Sequence, residues 1–270
     1  MIDTVVSADL QRRVFRIADH VALGTAQLGL RYGRRRDAAL LTESEARHLL
    51  AVAWHHGVRH FDTAVAYGPA ASRLSRWLLD AACAQEAFVT TKIACDEGLT
   101  TDAIATAIEP FASCAKVSVL SHTFSCKPAW EKLVGFGLER GISVGRSIYE
   151  PDEIAAGLKE GVAFFQGPGN VFDTRCLDAV SSLPCTLAIR SVYLQGTLLD
   201  PPAVAESRAP GCGMLAVAVQ NAAAELGHCP AALLLAGAAF LSHGTSRLVI
   251  GIDSESDFDA MLAAEEIPPT

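Results

Sequence analysis

The sequence predicts a single α/β domain over residues 1–270, folded as a (β/α)8 TIM barrel. Three observations predict this fold. The chain has 270 residues, half of them hydrophobic, which suffices for one full core and suits an eight-stranded barrel. Strand-like apolar runs alternate with helix-length segments through short connections. Polar residues fall repeatedly at the carboxyl ends of those runs.

The strand-like runs number eight, and the segment after each one is long enough for the crossover that parallel pairing requires. This alternation fits a closed barrel or an open parallel sheet. No Gly-x-Gly-x-x-Gly follows the first run, which disfavours a dinucleotide-binding open sheet. We place the strands at Val21–Thr25, Val58–Asp62, Ala87–Ile93, Lys116–His122, Ile142–Ser147, Val162–Gln166, Thr186–Val192 and Arg247–Ile252.

Several helices between these strands have clear boundaries. Thr42 and Glu45 form a predicted capping box for a helix that runs to Gly57. Pro151 suits the first turn of a helix ending near Gly161. Two helical segments, at about 212–226 and 230–243, fill the long gap before the last strand. Pro230 is expected to open the second of them.

Composition excludes several kinds of partner. The net charge of −8 disfavours a nucleic-acid or anionic-membrane partner, and we interpret Arg34–Arg36 as a solvated loop. The eight cysteines are scattered without metal-binding spacing, so we expect buried, reduced thiols and no metal site. The longest apolar run, Ala231–Leu241, is too short to cross a membrane. With no apolar leader visible, we expect a cytoplasmic enzyme.

Polar residues end six successive strands. A single such residue is more often an ordinary strand end leading into a loop. In a barrel, however, six in succession would surround one mouth, where barrel active sites lie. The residues are Thr25, Asp62, Lys92, His122, Ser147 and Gln166.

Four residues near this mouth could carry out acid–base chemistry. Tyr67 follows Asp62 by five residues, so a turn can place its ring over the mouth. A free tyrosine has a pKa of about 10, and we expect the Lys92 ammonium to lower it. Asp62 would hold the lysine, and His122 would donate a hydrogen bond to a substrate oxygen. Alternatively, Tyr67 is an aromatic lid and Asp62–Lys92 a structural ion pair. Spacing does not decide between them.

Motifs along nearly the whole chain resemble those of the aldo-keto reductases, in particular short bacterial members. The most specific is Gly57–Gly68, with its spacing of Asp62 and Tyr67. The others follow in family order: Leu23–Gly29, Thr91–Ile93, Leu120–His122, Gly145–Tyr149, Phe165–Gln166 with Asn170, Arg190–Gly196 and Val249–Ser254.

This resemblance implies NAD(P)H-dependent, reversible reduction of a small aldehyde or ketone, by analogy a sugar-like one. Tyr67 would be the general acid/base, Lys92 and Asp62 would tune it, and His122 would orient the carbonyl. The resemblance also implies a set of residues along the cofactor. They are Gly24, Thr25, Ser147, Gln166, Asn170, Arg190, Ser191, Gly196, Leu198, Gly251, Asp253 and Ser254.

The sequence departs from the family pattern at the cofactor. Family members usually carry basic residues after the last strand to bind the adenosine 2′-phosphate of NADP(H). Here Asp253–Asp259 has none, and its acids would repel a phosphate at the helix start. The sequence therefore does not support a preference for NADP(H), and NADP(H), NAD(H) or weak cofactor affinity all remain open. Met261 replaces a family asparagine, and Arg190 stands where many members stack an aromatic ring on the nicotinamide.

Two alternatives to a reductase remain open. One is a cofactor-independent elimination or isomerisation run by the same four residues. The other is a barrel that senses a nucleotide without catalysis. The proline-containing segment 196–212 is expected to be a loop that closes over the site.

Overall fold

A computed structural model describes residues 15–81, 85–124, 126–242 and 247–268. Within these ranges the chain forms a closed barrel of eight parallel strands in sequence order, with β8 paired to β1. The predicted (β/α)8 fold is confirmed, and closure excludes the open sheet. The strands are β1 Val21–Gly24, β2 His60–Asp62, β3 Phe88–Cys95, β4 Lys116–Phe124, β5 Ser143–Ser147, β6 Phe164–Pro168, β7 Thr186–Arg190 and β8 Arg247–Gly251.

Every predicted strand is present, with boundaries shifted by a few residues. Both β3 and β4 continue two residues beyond their predicted ends. Their register is irregular there: Ile93 pairs with Ser121, whereas Ala94 pairs with Thr123. His122 therefore lies in a β-bulge, a feature that redirects a side chain relative to its strand.

The helices surround the barrel. The capping box of Thr42 and Glu45 is formed, and Pro230 occupies the first turn of its helix, as predicted. Pro151 instead lies one residue before its helix, at the N-cap. The α-helices are α1 Ile17–His20, α2 Glu43–His55, α3 Ala70–Asp80, α4 Thr101–Ala112, α5 Lys127–Arg140, α6 Asp152–Lys159, α7 Arg175–Val180, α8 Pro202–Arg208, α9 Cys212–Leu226, α10 Pro230–Leu241 and α11 Glu255–Leu262.

Segment 196–212 is more ordered than the predicted loop. It contains a 3-10 turn at Thr197–Leu199 and the helix α8, which Pro202 opens. Arg208, in the last turn of α8, pairs with the buried Asp200 at 2.8 Å. Proline at a helix start is favourable because its backbone nitrogen needs no hydrogen-bond partner there.

The main core lies between the strands and the surrounding helices, where Phe61, Phe111, Phe165 and Phe258 are fully buried. Close packing of two strands requires Gly145 on β5, because a Cβ there would lie 2.2 Å from the Phe164 carbonyl oxygen. Such close packing holds the strand ends, and the polar residues on them, in fixed positions.

The remaining composition-based expectations concern cysteines and membranes. None of the seven cysteines in the described ranges forms a disulfide; Cys83 lies outside those ranges. No single helix in the described part of the chain is both long and apolar enough to cross a membrane, although α9 and α10, bent by 95°, pass that test as a pair.

Candidate functional site

A buried ion pair lies at the carboxyl ends of the barrel strands. The Lys92 ammonium, reaching from β3, contacts Oδ1 of Asp62 at the end of β2. The Gln166 amide on β6 donates to Oδ2 of the same carboxylate at 2.7 Å. All three side chains are buried. Burial lowers the Lys92 pKa, and the attraction of Asp62 opposes that change.

Main-chain contacts hold Asp62 and Tyr67 in this arrangement. Thr25, fully buried, donates through its backbone N–H and its hydroxyl to the Asp62 carbonyl oxygen. Tyr67 ends a 3-10 turn, and Gly68 follows at φ +56°. A Cβ on Gly29 would lie 2.0 Å from the Tyr67 carbonyl oxygen, so only glycine allows the segment after β1 to pack against this turn.

The Tyr67 ring lies over the ion pair. Lys92 Nζ is 5.3 Å from the ring centroid, and the ring is largely buried. Burial and the Asp62 charge raise the Tyr67 pKa above its usual value. The expectation that Lys92 lowers this pKa is therefore wrong for the ligand-free protein. The reason is that Asp62 offsets the lysine charge while burial disfavours the phenolate, so Tyr67 holds its proton.

His122 projects from the bulge in β4 and is exposed. Partial burial and the positive charges of Lys92 and Arg190 lower its pKa. At neutral pH the imidazole is therefore uncharged, and one ring nitrogen carries a proton that it can donate. Its bulged position was not readable from the sequence, which showed only a histidine at a strand end.

Arg190 adds a cation to the same mouth. It ends β7, its Nη2 donates to the Ile148 carbonyl oxygen at 2.9 Å, and its guanidinium lies 4.5 Å from the Tyr149 ring centroid. Its charge favours the phenolate of Tyr67 and of Tyr32, whereas burial raises the Tyr32 pKa overall. Tyr32 was not predicted as a site residue, and no motif marked it.

A cavity of about 290 Å³ extends from this mouth toward the end of β8. The segment after β7 forms one wall. In it Ser191, Leu194 and Gln195 have positive φ, a conformation that non-glycine residues adopt only when the surrounding structure enforces it. The predicted site residues that line the cavity are Gly24, Asp62, Tyr67, Gln166, Arg190, Ser191, Gly196, Gly251 and Asp253.

The other predicted site residues lie behind or beside the cavity. Lys92 lies behind Asp62, which separates it from the cavity. Ser147 is half-buried at the end of β5. Asn170 is buried and bonds to the backbone of Phe172. Leu198 is also buried, and Ser254 caps α11.

Arg34 is exposed, as the solvated-loop interpretation expects, and it also lines the cavity. Its guanidinium lies 3.4 Å from Asp200 and 3.6 Å from Asp257, and its side chain packs against Gly196. A basic residue therefore does reach the acidic stretch after β8, although the local sequence there contains none. The long range of this contact, across most of the chain, is the reason sequence inspection missed it.

Asp253 places an unused acceptor in the cavity. Its Oδ1 is buried without a hydrogen-bond partner, and burial together with Asp257 raises its pKa to about 6. Arg34 and Arg35 act on the same carboxylate with the opposite sign, so acidic and basic side chains meet at this end of the cavity. No cluster of metal-ligating side chains occurs within the described ranges.

Comparisons with known proteins agree with this architecture. Residues 20–118 match the model of the Aldo/keto reductase family. No curated protein matches the chain. An aldo/keto reductase from Brucella melitensis has a TM-score of 0.66 at 15% identity, covering 93% of this chain and 88% of that one. An aldo-keto reductase from Bacillus halodurans has a TM-score of 0.64 at 14% identity, covering 85% and 83%. Residues 20–118 therefore resemble the aldo/keto reductase family in sequence, and the barrel as a whole has the fold of these aldo-keto reductases.

Proposed function

We propose that the protein is a nicotinamide-dependent oxidoreductase that interconverts a small carbonyl compound and its alcohol, with Tyr67 as general acid/base. The observation that carries this proposal is the buried Asp62–Lys92 ion pair beneath Tyr67, beside a cavity of about 290 Å³. A structural ion pair alone would not need a tyrosine and a cavity above it.

The chain's own residues supply proton transfer and orientation. Tyr67 stays protonated until a substrate oxygen with developing negative charge accepts its proton. Uncharged His122 donates a hydrogen bond to the same oxygen and orients the carbonyl. Lys92, held by Asp62, stabilises the phenolate left after the transfer. The bound cofactor supplies the hydride.

Two groups of cavity residues suit the two halves of a nicotinamide cofactor. Gln166 and Ser191 lie near Tyr67 and suit the nicotinamide half. Gly196 and Gly251 line the other region, where Arg34 and Gln27 pack against them, and Asp253 there suits the adenosine ribose. For this reason we propose NAD(H) in preference to NADP(H).

The first test is a fluorescence titration of the purified protein with NADH and NADPH in parallel. We expect micromolar binding of NADH and weaker binding of NADPH. Tyr67→Phe should bind NADH as the wild type does while turnover falls by about 10³-fold or more. Unchanged turnover in this variant would remove Tyr67 from the mechanism.

A second candidate is a cofactor-independent elimination or isomerisation. It is favoured by one observation: the Gln166 amide already donates to Asp62, which leaves fewer of its polar groups for a nicotinamide. Under this candidate, well-folded protein binds neither NADH nor NADPH, and turnover of a carbonyl substrate needs no added cofactor. NADH binding with hydride transfer would exclude it.

A further inference from the structure

Arg190 places a cation beside Tyr67 that the proposed proton transfer does not use. It lines the cavity together with Tyr32 and Tyr67. Its charge acts on both tyrosines and on His122, so these four side chains lie within electrostatic reach of one another. A ligand that contacts Arg190 would therefore lie next to the acid/base centre.

The guanidinium is held in place with most of its donors unused. Nη2 donates to the Ile148 carbonyl oxygen, and the Tyr149 ring supports the guanidinium at 4.5 Å. A guanidinium carries five N–H groups, so one hydrogen bond leaves several for a ligand. Its parallel N–H groups match the two oxygens of a carboxylate, and a fixed guanidinium loses little entropy when it binds one.

The charges around Arg190 do not balance within the described part of the chain. No carboxylate there forms an ion pair with it. The acid that acts on the same tyrosines, Asp62, has both oxygens engaged, by Lys92 and Gln166. Arg34, in contrast, is paired with Asp200 and Asp257. The Tyr67 end of the cavity is therefore positive, and it attracts an anion.

We propose that Arg190 binds a carboxylate of the substrate, so that the protein converts an oxo acid to the corresponding hydroxy acid and back. This inference rests on the proposed oxidoreductase function. The carboxylate on Arg190 places the carbonyl carbon of the same molecule near Tyr67. A cofactor phosphate is the other oxyanion that a guanidinium binds. The hydrogen bond of Arg190 to Ile148, beyond the end of β5, and the action of its charge on Tyr67 and His122 favour the substrate carboxylate.

The test measures binding separately from turnover. Pyruvate, acetoacetate and levulinate carry the carboxylate at increasing distance from the carbonyl, and their methyl esters are uncharged controls. Each is titrated calorimetrically into wild type, Arg190→Met, Arg190→Lys and Arg76→Met, with and without NADH. Arg76 is an exposed arginine on α3, 60% accessible, and serves as the matched control.

We expect at least one acid to bind wild type and Arg76→Met about tenfold to a hundredfold more tightly than its ester. Arg190→Met should remove this difference and Arg190→Lys should retain part of it, with thermal melts showing that both variants fold. Equal binding of acids and esters by wild type would overturn the inference. So would Arg190→Met binding the acids normally, or losing affinity for ADP-ribose instead, since that loss would assign Arg190 to a cofactor phosphate.

The same titrations separate this inference from the proposed function. If the acids bind through Arg190 but no nicotinamide cofactor binds, the oxidoreductase proposal fails while the carboxylate site stands. If NADH binds and esters are reduced as well as acids, the oxidoreductase stands and the carboxylate site fails.

Discussion

Partly or fully buried ionisable groups have different charge states at the two ends of the barrel. At the amino end, His60 of β2 stacks on the Phe88 ring of β3 at 4.4 Å between centroids, and burial lowers the His60 pKa to about 4. Its imidazole is therefore uncharged at neutral pH. At the carboxyl end, Asp62 lies two residues further along the same strand and forms a buried ion pair with Lys92. The ionisable group at the amino end is therefore uncharged, whereas the pair at the carboxyl end stays charged beneath Tyr67.

This difference separates stability from function. The stacked rings of His60 and Phe88 are only partly buried, and an uncharged pair of this kind needs no ionic partner. A buried ion pair contributes little net stability, because desolvation offsets the attraction between its charges. Its retention at the carboxyl end is therefore better explained by chemistry than by folding. Active sites of (β/α)8 barrels lie at this end, and the buried ion pair, Tyr67 and the cavity lie there too.

The largest expected effect follows from breaking the ion pair. Lys92→Met leaves the Asp62 carboxylate buried without its cation, so we expect a loss of about 3 kcal/mol in the free energy of unfolding. Turnover should fall by about 10³-fold. Denaturant unfolding and steady-state kinetics measure the two effects.

A double variant separates these two effects. Lys92→Met combined with Asp62→Asn removes both charges, and we expect most of the lost stability to return while activity stays absent. If activity returned with stability, the ion pair would have only a structural role. The proposed difference in function between the two barrel ends would then be wrong.

A smaller effect is expected at the arginine that holds the segment after β1 over the carboxyl end. Arg73 on α3 donates to the carbonyl oxygens of Leu28 and Leu41 and pairs with Glu43. Arg73→Ala should cost about 2 kcal/mol, since it removes these bonds from a largely buried site. It should also weaken ligand binding at the cavity, which the same segment lines. Arg76→Ala, nearby but exposed, should leave both stability and binding nearly unchanged.

Some features of the fold and the site were predictable from the sequence. All eight strands were predictable because strands buried on both faces are continuous apolar runs, and the Thr42–Glu45 cap is a local signal. The position of Asp62 at the end of β2 followed from the same runs, whereas β3 continues three residues beyond Lys92. Closure of the barrel did not follow from the alternation alone.

The features that were missed depend on long-range contacts. Arg34 meets Asp200 and Asp257 only after the barrel closes, and the bulge at His122 reflects the register of two strands. The direction of the Tyr67 pKa depends on burial, which the sequence does not reveal. The sequence therefore indicated which residues lie at the site, but not the charges and burial around them.

The pH dependence of stability tests the uncharged state of His60. Its pKa is about 4 in the fold and about 6.5 in an unfolded chain, so the unfolded state binds more protons between these values. Stability should therefore fall as pH drops from about 6.5 to 4, by about 1 kcal/mol after allowance for partial exposure. His60→Gln should remove this component, as measured by urea unfolding at each pH. An unchanged pH profile would show that His60 is not the responsible group.

Asp253, at the carboxyl end, should show the opposite slope and the smallest effect. Its pKa is about 6 in the fold and near 4 when unfolded, so the folded state binds more protons in this window. Stability should therefore rise as pH falls from about 6 to 4. At pH 7 Asp253→Asn should stabilise the protein by less than about 1 kcal/mol, because it removes a strained charge that is still partly exposed. The same variant should weaken NADH binding, since an amide is a poorer acceptor for ribose hydroxyls. Stabilisation together with weaker binding would show that this end of the barrel keeps a destabilising charge for its ligand, whereas a destabilised variant would mean that Asp253 is a structural group like those at the amino end.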